Sequence, residues 1–319
     1  MIKRDNTFDV MKGIGIIAMV IGHSSIPKLL QQFIFVWHMP LFFMVSGYFY
    51  KSYPEKEYFK KNARLLLVPY IVTALLMVAL TLTKDFITGN SSAETMFVAA
   101  IVGNGTVNNP TFSKYSIGAI WFLLAMFWCR NTYNLFHLRI VDPIVRGGVI
   151  ITFSIIATYI GTMFYLPTDI LQGFEALLFF YIGHQAKNSD YLGIKPSLEF
   201  FIIVLMLIGL SIYAGSMSMV RCYYGYWPIN YLAAIGMTTL VYSYSRRISD
   251  NCFLSWCGRV SIVILCVHII ELTFLPVNKL NEHFMIPICF DFLIHLLVAI
   301  MGSYCILKFN VFKRLFCIK

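Results

Sequence analysis

FDVMKGIGIIAMVIGH, residues 8–23, decides how the rest of the chain is read. All ten residues between Lys12 and His23 are apolar or glycine. A membrane-crossing helix takes about 20 mostly apolar residues, so this run, read over 12–27, predicts a first span. Working outward, the same texture recurs at 33–50, 65–82, 115–133, 147–165, 170–185, 198–214, 227–244, 260–275 and 286–307. Ten apolar segments with short connections predict an all-α polytopic membrane protein of about ten transmembrane helices.

Composition agrees. Of 319 residues, 59% are hydrophobic and only 13% charged, where soluble domains carry about a quarter charged. One soluble globule, a disordered tail and a disulfide scaffold are excluded. The net charge of +10 forms no basic face and gives no nucleic-acid signature, because its cations sit in the gaps between apolar runs. Laid over ten spans, 20 of the 25 Lys and Arg residues fall on one side. The remaining five, Lys28, Lys84, Lys114, Arg221 and Lys279, fall on the other. Basic residues stay cytoplasmic, so both termini are expected inside. The first run lacks a small-residue cleavage site and reads as a retained helix. The eight cysteines lack zinc-site spacing and read as buried thiols, so no metal site is expected. The Gly/Asn/Ser/Thr-rich stretch from Lys84 to Lys114 reads as a flexible outer loop with a short surface piece near Met96–Val102. Nothing remains for a separate soluble domain, which leaves one transmembrane domain over 1–319.

Ionisable groups inside such runs are costly in lipid and mark functional sites by default. Asp9, Lys12 and His23 share the first span. Lys12 and His23 are eleven residues apart, which puts them within about 20° of one helix face and about 16 Å apart along it. Alone, Lys12 reads equally as an interfacial lysine and His23 as a packing histidine; together they point to a site. Gly13, Gly15 and Gly22 thin the helix for a close neighbour. FVWHMPLFFMVSGYFY (35–50) carries His38, a Pro40 break and Ser46-Gly47. KKNARLLLVPY follows, where Lys61 and Arg64 form a cationic cluster explained either by topology alone or by anion binding. Trp121 lies in WFLLAMFW, and Glu175 and His184 flank GFEALLFFYIGH. Ser261 and His268 lie seven apart in one late segment, with Glu271 a turn further on. His268 falls at a depth comparable to His23, so the two imidazoles are candidates for one cavity.

At these residues the chain resembles the integral membrane acyltransferase family 3, O-acyltransferases of bacterial polysaccharides and related glycans. Lys12 and His23 occupy the places of the family's basic-residue-x10-His signature. His38, Pro40, Ser46 and Gly47 resemble its second-helix motif. Lys61 and Arg64 resemble its paired-basic motif, with Lys61 where Arg is more usual. Trp121 resembles the fourth-helix motif, and GRVSIVILCVH, ending at His268, the late Gly…Ser…His segment. The resemblance implies acetyl-coenzyme A as donor substrate from the cytoplasmic side, no bound cofactor, and a glycan hydroxyl as acceptor in a multi-pass inner (plasma) membrane protein. It also implies a stand-alone form, without the fused esterase-like domain of many members. On that reading His23 is the base or transient acyl acceptor, and Lys12, with Asp9 as its positioner, is the cation at the other end of the same helix. Lys61, Arg64 and Trp121 serve the donor, and His38, Ser46 and His268 line the substrate cavity. The chemistry suits these groups: a neutral imidazole takes a hydroxyl proton near neutrality, and cations meet the donor's phosphates. The rival expectation is a transporter or flippase of glycan precursors, which shares broken helices and buried charge. That rival would place charged groups at mid-depth in both halves, whereas here they are expected chiefly in the first two spans and their inner loop. A sensor or scaffold would bury the histidines against packing neighbours.

Overall fold

The computed structural model describes residues 5–108, 111–187, 196–275 and 291–318. Lys3, Arg4, Lys195, Lys279, Cys289, Lys319 and the first five residues of the expected last span lie outside them. Among the described residues the chain is almost wholly helical, with one two-residue strand pair, Met217–Ser218 against Tyr223–Tyr224.

Each expected apolar segment overlaps a described helix or helix pair, the last of them only from Asp291 onward. α1 spans Thr7–Gly22 and α2 Lys28–Tyr48. α3 (Glu55–Asn62) runs through a π-helical turn, Ala63–Leu67, into α4 (Val68–Thr88). Next come α5 (Ala93–Val102), α6 (Trp121–Arg139), α7 (Pro143–Met163), α8 (Ile170–Glu175) and α9 (Leu177–Lys187). α10 (Leu198–Tyr213), α11 (Trp227–Arg247), α12 (Cys252–Arg259) and α13 (Ser261–Phe274) lead to α14 (Asp291–Ile306) and α15 (Asn310–Leu315). Among the described residues three helical stretches are long and apolar enough to cross a membrane unaided: Lys28–Tyr48, Glu55–Thr88 and Pro143–Met163. α12 and α13 qualify together as a broken span bent by 75°.

Ends differ from the sequence reading where local chemistry intervenes. α1 stops at Gly22 rather than 27, because Pro27 fixes an extended backbone and opens α2. α6 starts at Trp121 rather than 115, because Gly118 sits at φ +70°. The expected flexible loop is largely folded. α4 continues to Thr88, and the Asp85 carboxylate accepts from the Ala93 N–H (2.7 Å) and Ser92 Oγ (2.6 Å), which anchors α5. The Tyr70 hydroxyl then ties α5 to α4 through the Ala100 carbonyl at 2.8 Å.

Two helix crossings are backbone on backbone. A side chain at Gly258 would collide with the Asp9 carbonyl, and one at Gly13 with the Leu254 carbonyl, so α12 lies directly on α1. Gly47 and Gly183 play the same part where α2 meets α9, against the carbonyls of Phe180 and Met44. In lipid, where apolar side chains gain little by leaving one solvent for another, such close contact supplies the packing. It holds α1, α2 and α12 around a common interior.

Candidate active site

That interior contains a cavity of about 400 Å³. α1 contributes Lys12 and His23 to its wall, α2 His38 and Ser46, and α6 Trp121 and Arg130. Arg259, Ser261 and Leu265 close it from the α12–α13 break, and Met217–Val220 from the strand pair. The π-helical turn adds Leu65 and Leu66. A π turn rotates side chains out of the α register and recurs at functional sites. Here it directs two leucines inward and leaves Arg64 exposed.

The imidazoles are held by the helices that carry them. His23 is the C-terminal cap residue of α1, and its Nδ1 donates to the Met19 carbonyl at 2.8 Å. His38 donates from Nδ1 to the Ile34 carbonyl at 2.9 Å, a bond inside α2. A carbonyl only accepts, so each Nδ1 carries a hydrogen and each neutral ring keeps its lone pair on Nε2. The ring centres of His23 and His38 are 6.5 Å apart, and those of His23 and His268 are 5.9 Å apart. His23 thus neighbours two further imidazoles, His38 in the cavity wall and His268 outside it.

Lys12 Nζ lies 2.9 Å from Asp9 Oδ1 one turn earlier on α1. That pair holds the ammonium at the opposite end of α1 from His23, about 16 Å away by helical rise. Asp9 is buried behind it and does not itself line the cavity. Arg259 follows Gly258, whose backbone abuts Asp9, so Arg259 sits at the Lys12 end. Trp121 is buried in the wall, and Gly105 packs flat on its ring.

Lys61 and Arg64 are not brought into this wall. Lys61 is exposed, with Nζ 4.3 Å over the Tyr53 ring and donating to the Tyr53 hydroxyl at 3.2 Å. Arg130 and Arg259 are the arginines that reach the cavity. Sequence reasoning counted both only toward topology. Arg130 lay in the fourth span's inner third, which was the available signal.

His268 is wholly buried and stands behind His23 rather than in the cavity wall. Its Nδ1 donates to Glu271 Oε1 at 2.6 Å, and the other carboxylate oxygen accepts from His295 Nδ1 at 2.8 Å. His295 Nε2 lies 4.0 Å from Asp291, whose carboxylate accepts from the Ser25 N–H. His295 and Asp291 escaped the sequence reading, although their four-residue spacing places both on one helix face. His268, Glu271 and His295 are also the described cluster with the donor set of a metal site. Asp169 and Glu175 are wholly buried as well. The expectation that buried charge concentrates in the first two spans is therefore corrected: Asp169, Glu175, Glu271 and Asp291, all later in the chain, are buried too.

A family model described as an acyltransferase domain matches residues 5–307. No curated protein matches, and no solved structure matches.

Proposed function

The chain belongs to this acyltransferase family, acyltransferase family 3, and on that premise we propose that it is a membrane O-acyltransferase. It moves an acetyl or other short acyl group from cytoplasmic acyl-coenzyme A to a hydroxyl of a cell-surface or lipid-linked glycan. The observation that carries the reading is a cavity that has Lys12, Arg130 and Arg259 in its wall and His23 about a helix length from Lys12.

The donor is a long thin arm ending in a thioester, with phosphates at its other end. Cations at the Lys12 end meet phosphate oxygens through charge-assisted hydrogen bonds. The arm then runs along α1 toward His23. Nε2 of His23 accepts the acceptor's hydroxyl proton as the oxygen attacks the thioester carbonyl. Lys61 and Arg64, exposed on the α3–α4 turn whose leucines form part of the wall, gather the anionic donor to the mouth. His38 and Ser46 orient the acceptor, and Trp121 shapes the wall. In this reading ten spans place both termini and the donor mouth at the cytoplasmic face of the inner (plasma) membrane.

The test uses membranes carrying the chain, [14C]acetyl-coenzyme A and a thiol reagent for released coenzyme A. Wild-type membranes should release coenzyme A and retain label in glycan. His23→Ala should lower both by about 10²-fold or more, the usual contribution of a positioned base. Equal release from wild-type, His23→Ala and empty membranes would overturn the proposal.

A further inference from the structure

Behind His23, away from the cavity wall, four titratable groups from two helices form one connected set. Glu271 on α13 takes a hydrogen bond on each carboxylate oxygen, from His268 Nδ1 at 2.6 Å and His295 Nδ1 at 2.8 Å. Asp291 lies 4.0 Å beyond His295 Nε2. The four form two pairs of helical neighbours, His268 with Glu271 and His295 with Asp291, and Glu271 to His295 joins the two helices. All are buried. Among the described residues no lysine or arginine pairs with either carboxylate; their ionisable neighbours are the histidines.

Hydrogen bonding accounts for these distances better than a shared ion does. Two ligands about 2.0–2.1 Å from a tetrahedral metal stand roughly 3.3 Å apart. Separations of 2.6 and 2.8 Å are those of a carboxylate accepting N–H bonds. The consequence falls on His268. With Nδ1 committed to Glu271, its remaining nitrogen, Nε2, is buried and has no hydrogen-bond partner among the described residues. The ring lies between those of His23 (5.9 Å) and His295 (6.0 Å). In acyl-transfer enzymes a buried carboxylate bonded to the base orients it and stabilises its protonated form; here Glu271 reaches His23 only across the intervening His268 ring.

We infer that Glu271 is a positioning residue for acyl transfer: by bridging His268 and His295 it fixes the ring that backs His23 and stabilises the proton His23 holds. The inference rests on the role of His23 proposed above. In the step itself the acceptor oxygen bonds to the thioester carbon and the carbon–sulfur bond breaks, its electron pair leaving with sulfur. The hydroxyl proton passes to His23 Nε2 and from there to the sulfur, so nothing is left over. While His23 holds that proton, Glu271 is the anion behind it and His268 the fixed ring between. The other ionisable groups facing His23 are His38 from α2 and, across the α1–α13 contact, His268.

The test compares wild type, Glu271→Gln, Glu271→Asp, His295→Gln and His23→Ala as full-length protein in membranes, with acetyl-coenzyme A as probe. Initial rates of coenzyme A release are taken across donor concentration and pH, and zinc is measured in the purified protein. Glu271→Gln should lower kcat on the order of 10²-fold with donor KM changed less than about threefold. Without the anion, protonated His23 loses support, so the acid limb of the pH–rate profile should move to lower pH. Glu271→Asp should restore most of kcat. His295→Gln keeps the bond to His268 and should show the same shift in smaller measure, which keeps the inference testable if Glu271→Gln fails to insert. A wild-type rate and profile in Glu271→Gln, alongside an inactive His23→Ala, would overturn this inference alone. Stoichiometric zinc lost in Glu271→Gln would overturn it in favour of a metal site. No release by wild type would instead overturn the proposed function.

Discussion

At the scale of single residues, the cavity ranks the cations. Lys12, Arg130 and Arg259 line it, whereas Lys61 and Arg64 do not. A hydrogen bond to a charged group contributes about 1.5–3 kcal/mol, and about 1.4 kcal/mol is tenfold in binding. Arg130→Ala should therefore raise the donor KM by about 10- to 100-fold in the coenzyme A release assay. Lys61→Ala, which removes an exposed charge already engaged by Tyr53, should raise it by less than about threefold, through weaker attraction at the mouth. That difference should shrink at high salt only for Lys61, because exposed charges are screened and enclosed ones much less so. Equal sensitivity of KM to both substitutions would move the phosphate site out of the cavity and onto the α3–α4 turn. Which arginine reaches a cavity is the part the sequence hid. Arg130 and Arg139 look alike in FWCRNTYNLFHLR, yet Arg139 pairs with Glu55 at 2.8 Å on the exposed side.

Among the elements, the crossing of α1 and α12 fixes the distance between Lys12 and the α12–α13 break. Gly258 leaves no room for a Cβ against the Asp9 carbonyl, and backbone cannot step aside as a side-chain end can. Gly258→Val should lower thermal stability in detergent by at least 1–3 kcal/mol, the usual cost of overpacking, and should lower activity with it. Gly148→Ala in α7 is the control. Open space surrounds that position, and alanine is the better helix former, so the melting temperature should hold or rise slightly. If Gly258→Val melts with wild type, the two helices do not meet as closely as described. Elements of this kind were partly legible. GIG in α1 announced a thinned helix, but its partner, the glycine of WCGRV, lies some 240 residues later, and pairing at that separation leaves no periodic trace. Apolar run length carries the expected segments 12–27 and 115–133 past the breaks at Pro27 and Gly118, although proline and glycine are the residue types that signal them. At Ala176, where α8 gives way to α9 beside the buried Glu175, no residue type signals the break at all.

The whole molecule turns on which face holds the Lys12 end of the cavity. Apolar run length made the helices readable, since each of the ten segments overlaps a described helix or helix pair. That His23 and His268 stand close was readable from their matching depths, whereas His268's place outside the cavity wall was not. His38 depends on the α1–α2 turn at Pro27, and His295 on a contact with α13 that no spacing encodes. Orientation rests on the distribution of basic residues and is open to direct measurement. Ser52 precedes α3 and Ser91 follows α4; both are exposed, and the Glu55–Thr88 helical stretch separates them. A cysteine placed at Ser91, with the natural exposed Cys252, Cys305 and Cys317 replaced, should react with a membrane-impermeant maleimide on intact cells. One placed at Ser52 should react only after the membrane is opened. The reverse pattern would put Lys12 and Arg259 at the outer face, where coenzyme A thioesters are absent, and the donor would need a different chemistry. Labelling of both from outside would mean that the Glu55–Thr88 stretch does not cross, and the alternation of basic residues downstream would lose its meaning.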